Sequence, residues 1–150
     1  MMRRLSLAFM LVVLAVTPGS AADLIKPVKV GTADAAGAIF KRPNTVVMEK
    51  GGQKFLDHVL LMTADKKFET GMYKAGVSHI DVRKSGYDVD EFMYFLKGKV
   101  TLTSADGTVQ VIHKGEAVTI PRGWKGIFDS KGYTKFYVIY SAKGDVDKIE

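Results

Sequence analysis

The sequence predicts an all-β fold, a small antiparallel barrel or sandwich behind an amino-terminal arm. Short apolar runs recur along most of the chain, separated by turn pairs such as Gly51-Gly52, Ser85-Gly86, Lys97-Gly98, Lys114-Gly115 and Lys131-Gly132. Many short strands at that spacing are the signature of an antiparallel sandwich or barrel. Beyond the first 22 residues, no segment repeats apolar side chains at the 3.6-residue helical period. One hairpin is also spelled out: Lys99–Thr103 and Val109–His113 flank Asp106-Gly107, a pair suited to the positive backbone angles of a tight turn.

Taken in chain order, Met1-Met2-Arg3-Arg4 is basic and Leu5 to Val16 is almost wholly apolar. Thr17-Pro18-Gly19 then breaks the run, and Ser20-Ala21-Ala22 places small residues where a signal peptidase reads. This is the three-part layout of a secretory signal, so residues 1–22 are expected to be removed. The apolar run is shorter than the roughly 20 residues that a membrane span needs. The mature chain is expected to start at Asp23, outside the cytoplasm in a periplasm or secreted, with no membrane attachment once the signal is gone. Residues 23–43, rich in Ala, Gly and Thr, read as an arm with one short strand or turn. Residues 44–150 read as the domain. Its strands are expected at Thr45–Glu49, Phe55–Met62, Phe68–Tyr73, Ser78–Arg83, Glu91–Leu96, Lys99–Thr103, Val109–His113, Ala117–Ile120, Gly126–Asp129 and Thr134–Ser141.

Composition narrows the chemistry. At 150 residues the chain has room for one core. It has no cysteine, which excludes disulfides, thiolate metal sites and thiol nucleophiles. Losing Arg3 and Arg4 lowers the formal net charge from +6 to +4, and the remaining charges are interleaved rather than clustered. Nucleic-acid binding needs a basic stripe and a recognisable motif, and the sequence offers neither. It also lacks a Ser/His/Asp arrangement, a phosphate loop and a dinucleotide fingerprint.

Two stretches carry a family resemblance. In Gly86-Tyr87-Asp88-Val89-Asp90-Glu91-Phe92-Met93-Tyr94-Phe95-Leu96-Lys97-Gly98, six residues separate Glu91 from Gly98. Later, Gly115 is followed after five residues by Pro121 and then by Gly123. These resemble the two motifs of the cupin superfamily, G-x5-H-x-H-x3,4-E-x6-G and G-x5-P-x-G-x2-H-x3-N. The predicted hairpin falls where that family places its central one. More narrowly, Glu91, Tyr94, Leu96-Lys97-Gly98, Gly115, Pro121, Gly123 and Lys135-Phe136-Tyr137 resemble short cupins of the ureidoglycine-aminohydrolase-like or ethanolamine-utilisation-protein-Q-like kind. The resemblance spans about Gly71 to Ser141 and implies a small jelly-roll barrel. Independently of it, Gly98, Gly115 and Gly123 permit backbone angles that corners need, and Pro121 ends a strand ladder.

The departures from the pattern bear on function. In metal-binding cupins two histidines, a glutamate and a further histidine hold a divalent cation. Here the first two positions are Ser85 and Tyr87, or Lys84 and Gly86 under the longer spacing, and the last is Gly126. Only Glu91 remains, and one carboxylate does not hold a transition metal. The expectation is therefore no metal cofactor. A weaker alternative places His79 and Asp81 on one strand face with Glu91 as a two-oxygen, one-nitrogen divalent site. His58 and His113 read as structural or surface residues.

Alternation puts Glu91, Met93 and Phe95 on one face, which the resemblance makes the barrel interior. A buried carboxylate needs a donor, and Lys135 on the last strand, with Tyr137 on the same face, is the expected partner. Tyr87, Trp124 and Phe128 fall at or near the former metal-ligand positions, where aromatic rings make a stacking pocket with phenol handles. The candidate ligand-binding residues are Tyr87, Glu91, Trp124, Phe128, Lys135 and Tyr137, and no catalytic residue is assigned.

Three functions compete on these residues. The first is a metal-free protein that binds a small polar organic molecule. The second is a hydrolase- or isomerase-type enzyme using Glu91 as acid/base with Tyr137 or Lys135 assisting, for which the sequence secures no second titrating group. The third is a homodimeric interaction protein with a vestigial pocket. It rests on Phe92, Tyr94 and Leu96, an apolar face opposite Glu91 that must be covered by a second copy or by the arm.

Overall fold

The computed structural model describes residues 26–148; the expected signal peptide lies outside them. Nine strands follow a short helical lead. They are β1 (Val46–Lys50), β2 (Gln53–Met62), β3 (Phe68–Ala75), β4 (Ser78–Asp81), β5 (Asp90–Ser104), β6 (Val109–His113), β7 (Ala117–Ile120), β8 (Gly126–Ser130) and β9 (Tyr133–Tyr140). All pairings are antiparallel. The order is β1-β2-β3-β9-β5-β8-β4, with β6 and β7 also pairing to β5. The sheet curls on itself as a jelly-roll half-barrel, the all-β architecture expected.

The two strands expected at Glu91–Leu96 and Lys99–Thr103 are one 15-residue strand, β5. Its first half pairs with β9 and β7, and its second half with β6 and β8. The bend between them is a register shift around Leu96 followed by Gly98 at φ +76°. A side chain at Gly98 would place its Cβ 2.0 Å from the carbonyl oxygen of Gly132. Only glycine both adopts that angle and tolerates that approach. The pattern reads Lys97-Gly98 as a break, and in the fold it is a bend within continuous pairing.

The β5–β6 hairpin has the expected register, Lys99 opposite His113 through Thr103 opposite Val109. Its turn differs from expectation, because only Gly107 has positive φ, at 88°. Gly107 N–H donates to Ser104 and Ser104 N–H donates to Thr108. The Asp106 side chain caps the Thr108 amide at 2.9 Å. Asp106 thus acts as a hydrogen-bond acceptor in a three-residue connection, which needs one left-handed residue where a two-residue turn needs two.

The arm forms one α-turn (Thr32–Ala35) and a 3-10 turn (Ala38–Lys41), with no strand among its described residues. Asp34 explains the α-turn: its carboxylate accepts from the Gly31 amide at 3.1 Å and from Arg42 at 2.8 Å. The 3-10 turn packs against β2 with Ile39 fully buried. Thr45 ties the two together by donating to the Ile39 carbonyl and contacting His58 Nδ1 at 3.0 Å. His58 is buried there in the structural role expected of it.

The principal core lies on the concave side, formed by Met93, Phe95, Val100, Leu102, Ile112, Ile120, Phe128 and Tyr133 with Ala75. A second cluster joins Val89, Tyr137, Ile139 and Val146. On the convex side, Phe92 and Tyr94 stay 43% and 39% exposed, so the arm does not cover them.

Candidate functional site

Strand alternation aims Glu91 of β5 and Lys135 of β9 into the concave side. Their side chains are 3% and 9% exposed, and Lys135 Nζ lies 2.5 Å from Glu91 Oε1. The expected pair is present. Tyr87, in the loop before β5, donates its hydroxyl to Glu91 Oε2. The carboxylate therefore has a partner on each oxygen, which offsets the cost of its burial. Burial, and next the Glu91 charge, push the Tyr87 phenol well above its ordinary pKa, so it stays a donor.

The ammonium of Lys135 also lies 5.5 Å from the ring centre of Tyr73 and 5.8 Å from those of Tyr133 and Tyr137. These distances fall within cation–π range. A cation thus sits against Glu91, ringed by three phenols. Tyr73 and Tyr133 are absent from the sequence-based site. The alternation Tyr133-x-Lys135-x-Tyr137 was the available signal, since it places all three on one face.

Trp124 and Tyr87 meet edge to face at 6.4 Å. The Trp124 indole donates to Ser104 Oγ at 3.0 Å. It lies over Gly126, where a Cβ would come 2.2 Å from the ring. The position at which the family pattern has a histidine is therefore roofed by an indole. Phe128 is 2% exposed and packs against Tyr133, with ring centres 5.6 Å apart, inside the core. Ser85, at another of the three histidine positions, donates to the Gly86 carbonyl.

Tyr137 departs from expectation. Its ring faces Lys135, but its hydroxyl reaches Glu69 Oε1 at 2.7 Å and Asp57 Oδ1 at 2.9 Å. Gly71 on β3 makes room, because a Cβ there would lie 2.4 Å from the Tyr137 hydroxyl. Burial raises the pKa of Asp57 and of Glu69, an effect the Tyr137 hydrogen bond partly counters. Burial and then the neighbouring carboxylates hold Tyr137 far above the ordinary phenol range. Asp57 and Glu69 went unread in the sequence, although Phe55-x-Asp57-x-Val59 and Glu69-x-Gly71-x-Tyr73 each put a carboxylate on an otherwise apolar or aromatic face.

The alternative divalent set does not assemble. His79 pairs with Asp129 at 2.5 Å, and Asp81 with Arg83 at 2.6 Å, all four on the outer surface. Arg83 hydrogen bonds lower the Asp81 pKa to about 2. The register explains the failure: Ser78 opposes Ser130 and Ile80 opposes Phe128. Ser78, Ser130 and Phe128 are buried while Ile80 at the strand end stays 43% exposed, so His79 and Asp81 fall on the opposite, outer face. Among the described residues, no group of three or more His, Asp or Glu side chains could hold a metal ion. His113 is exposed, as expected. An open recess lies beside Asp81, Arg83, Lys84 and Ser85, and none of the six predicted site residues lines it.

Comparison with known proteins agrees with this architecture. No curated protein matches the chain. The EutQ protein of Clostridium difficile is 23% identical, covering 64% of this chain and 76% of its own, with a TM-score of 0.50. An ethanolamine utilization protein Q of Salmonella typhimurium LT2 is 17% identical over 67% of this chain and 97% of its own, also at 0.50. The cupin domain of Cnp3 from Schizosaccharomyces pombe is 14% identical over 71% and 75%, again at 0.50. At these identities the likeness is one of fold. The family model for the EutQ-like cupin domain matches residues 62–137, running from the end of β2 through Tyr137, and the chain belongs to that EutQ-like cupin family.

Proposed function

We propose that the protein is an exported, metal-independent cupin that binds a small polar organic molecule at the Glu91–Lys135 pair. The observation that carries this reading is the ammonium of Lys135 seated on Glu91, with Tyr87 on the second carboxylate oxygen. Glu91 is the one position that keeps the family's metal-ligand residue, and a protein cation engages it. Every buried side-chain nitrogen and oxygen among the described residues already has a partner. Binding is therefore an exchange: a ligand ammonium replaces Lys135 on Glu91, or a ligand carboxylate takes Lys135 from it. Trp124 and Tyr87 form the aromatic wall beside the pair.

Native mass spectrometry of the mature protein, followed by thermal-shift titration with small amines and small carboxylates, tests this. A carboxylate ligand loses its effect in Lys135→Met, and an amine ligand loses its effect in Glu91→Gln. If the protein carries no small molecule and no compound of either class raises the melting temperature, the proposal fails. So does a ligand whose effect survives both substitutions.

A second reading, self-association, rests on the convex face. Cross-strand rows there align Phe92 with Val138, and Tyr94 with Phe136. Phe92, Tyr94 and Tyr140 remain 43%, 39% and 47% exposed on adjacent strands. Sedimentation equilibrium of the wild type and of Phe92→Glu/Tyr94→Glu tests this reading; a monomeric wild type refutes it.

A further inference from the structure

We propose that Asp57, Tyr137 and Glu69, contributed by the adjacent strands β2, β9 and β3, form a proton-binding site whose occupancy fastens those strands together. The argument is one of counting hydrogens. The Tyr137 hydroxyl oxygen lies 2.7 Å from Glu69 Oε1 and 2.9 Å from Asp57 Oδ1. A phenol has one hydrogen to donate, whereas two ionised carboxylates both require one. Both contacts are good hydrogen bonds when one carboxyl carries a proton, donates it to the phenol oxygen, and the phenol donates to the other. With that proton gone, two anions crowd one hydrogen, Glu69 buried and Asp57 half-buried, and like charges so placed do not both ionise readily. The pair titrates as a unit, so the proton belongs to the triad rather than to either residue.

The surroundings keep the triad from relaxing. Tyr137 is 3% exposed and is laid across Gly71, and Glu69 is 5% exposed. Other charged or titratable groups act on it from four elements. Lys135 on β9 and His58 on β2 favour ionised Asp57 and Glu91 on β5 opposes it, while Asp147 in the 3-10 turn Val146–Lys148 opposes ionised Glu69. Lys135 is held by Glu91, and Lys66 holds Asp147 at 2.5 Å, so the outer charges are largely spoken for. Burial raises both triad carboxyls, in agreement with the count.

The sign follows from linkage. A carboxyl whose folded pKa is raised makes the native state bind more protons than the unfolded chain, so stability falls as pH rises through the folded value. Opening of β2 from β3 and β9 should therefore become easier from mildly acidic toward neutral pH. For one proton the opening constant changes by up to about tenfold per pH unit within the window. The inference does not depend on what binds at Glu91.

Carbon-13 NMR of side-chain carboxyls in the mature protein, followed across pH, reads the triad directly. The expected result is that Asp57 or Glu69 stays protonated after solvent-exposed carboxyls have ionised, and that both resonances respond at that midpoint. In Asp57→Asn, a near-isosteric change, Glu69 keeps the whole phenol hydrogen and should titrate lower than in the wild type. Protection of the Gly71 and Met72 amides against hydrogen exchange, corrected for intrinsic rate, should weaken with rising pH in the wild type and depend less on pH in Asp57→Asn. The proposal is overturned if both wild-type carboxyls ionise together with the exposed ones. It is also overturned if corrected exchange is flat with pH in the wild type.

Discussion

Removing one member of the Glu91–Lys135 pair should cost far more than removing both. The two side chains are 3% and 9% exposed with 2.5 Å between their charged atoms, so neither charge has water to fall back on. Lys135→Met leaves Glu91 with only the Tyr87 hydroxyl, and Glu91→Gln leaves an ammonium with three phenol faces and no anion. Breaking a buried pair from one side costs about 3–5 kcal/mol, whereas replacing both partners with uncharged residues is often near neutral. For a domain of this size that loss lowers the melting temperature by roughly 10–20 °C. Urea denaturation of the wild type, both single variants and Glu91→Gln/Lys135→Met gives the coupling energy directly. The double variant should recover most of the loss, since its Gln still accepts from Tyr87. Exposed pairs couple by only about 0.2–1 kcal/mol. A value in that range would show that the pair is solvated and that the site has no desolvated anchor.

Gly98→Ala should destabilise by about 2 kcal/mol or more, because it adds both a left-handed non-glycine residue and a collision with the Gly132 carbonyl. An unchanged urea midpoint would refute the bend assigned to β5. Gly126→Ala should push the Trp124 indole off Ser104, seen as a red-shifted emission from the single tryptophan; unchanged fluorescence would contradict the packing described. Elemental analysis of purified protein should find less than one transition metal per chain, because three of the four family ligand positions lack a ligand side chain of the metal-binding pattern. Manganese, iron or zinc at one per chain would overturn that expectation. Amino-terminal sequencing after expression with the native leader should begin at Asp23, and retention of Met1 would refute export.

Period-two alternation made the fold legible, because it survives in every strand that has one buried face. It also placed Glu91 and Lys135 on the same side, since both strands belong to motifs with fixed spacing. Alternation does not reveal which face is inner when the residues are polar on one side and mixed on the other. His79 and Asp81 show this, and the β4–β8 register turned them outward. Nor does it reveal where a long side chain ends. Tyr137 shares a face with Lys135, yet its hydroxyl passes over Gly71 to two carboxylates on strands far earlier in the chain. That contact needs a missing Cβ at Gly71, on the strand that also carries Glu69, a coincidence that no single segment encodes. The two strands read on either side of Lys97-Gly98 were one because a glycine that bends a strand looks locally like a glycine that ends it.

The position of β9 has a consequence for how the chain becomes folded. Residues 133–140 lie in the middle of the sheet, between β3 and β5, although they form the last of the nine described strands in chain order. Until they are synthesised, β3 and the first half of β5 have no shared neighbour, and the residues that β9 brings to the core are missing. Closure then requires contacts across large sequence separations, whose loop entropy is lost before the packing is gained, so folding is expected on the slow, millisecond-to-second side for domains of this size. Closure of the sheet is therefore expected to wait for residues 133–140 to emerge, whatever local hairpins have formed before them.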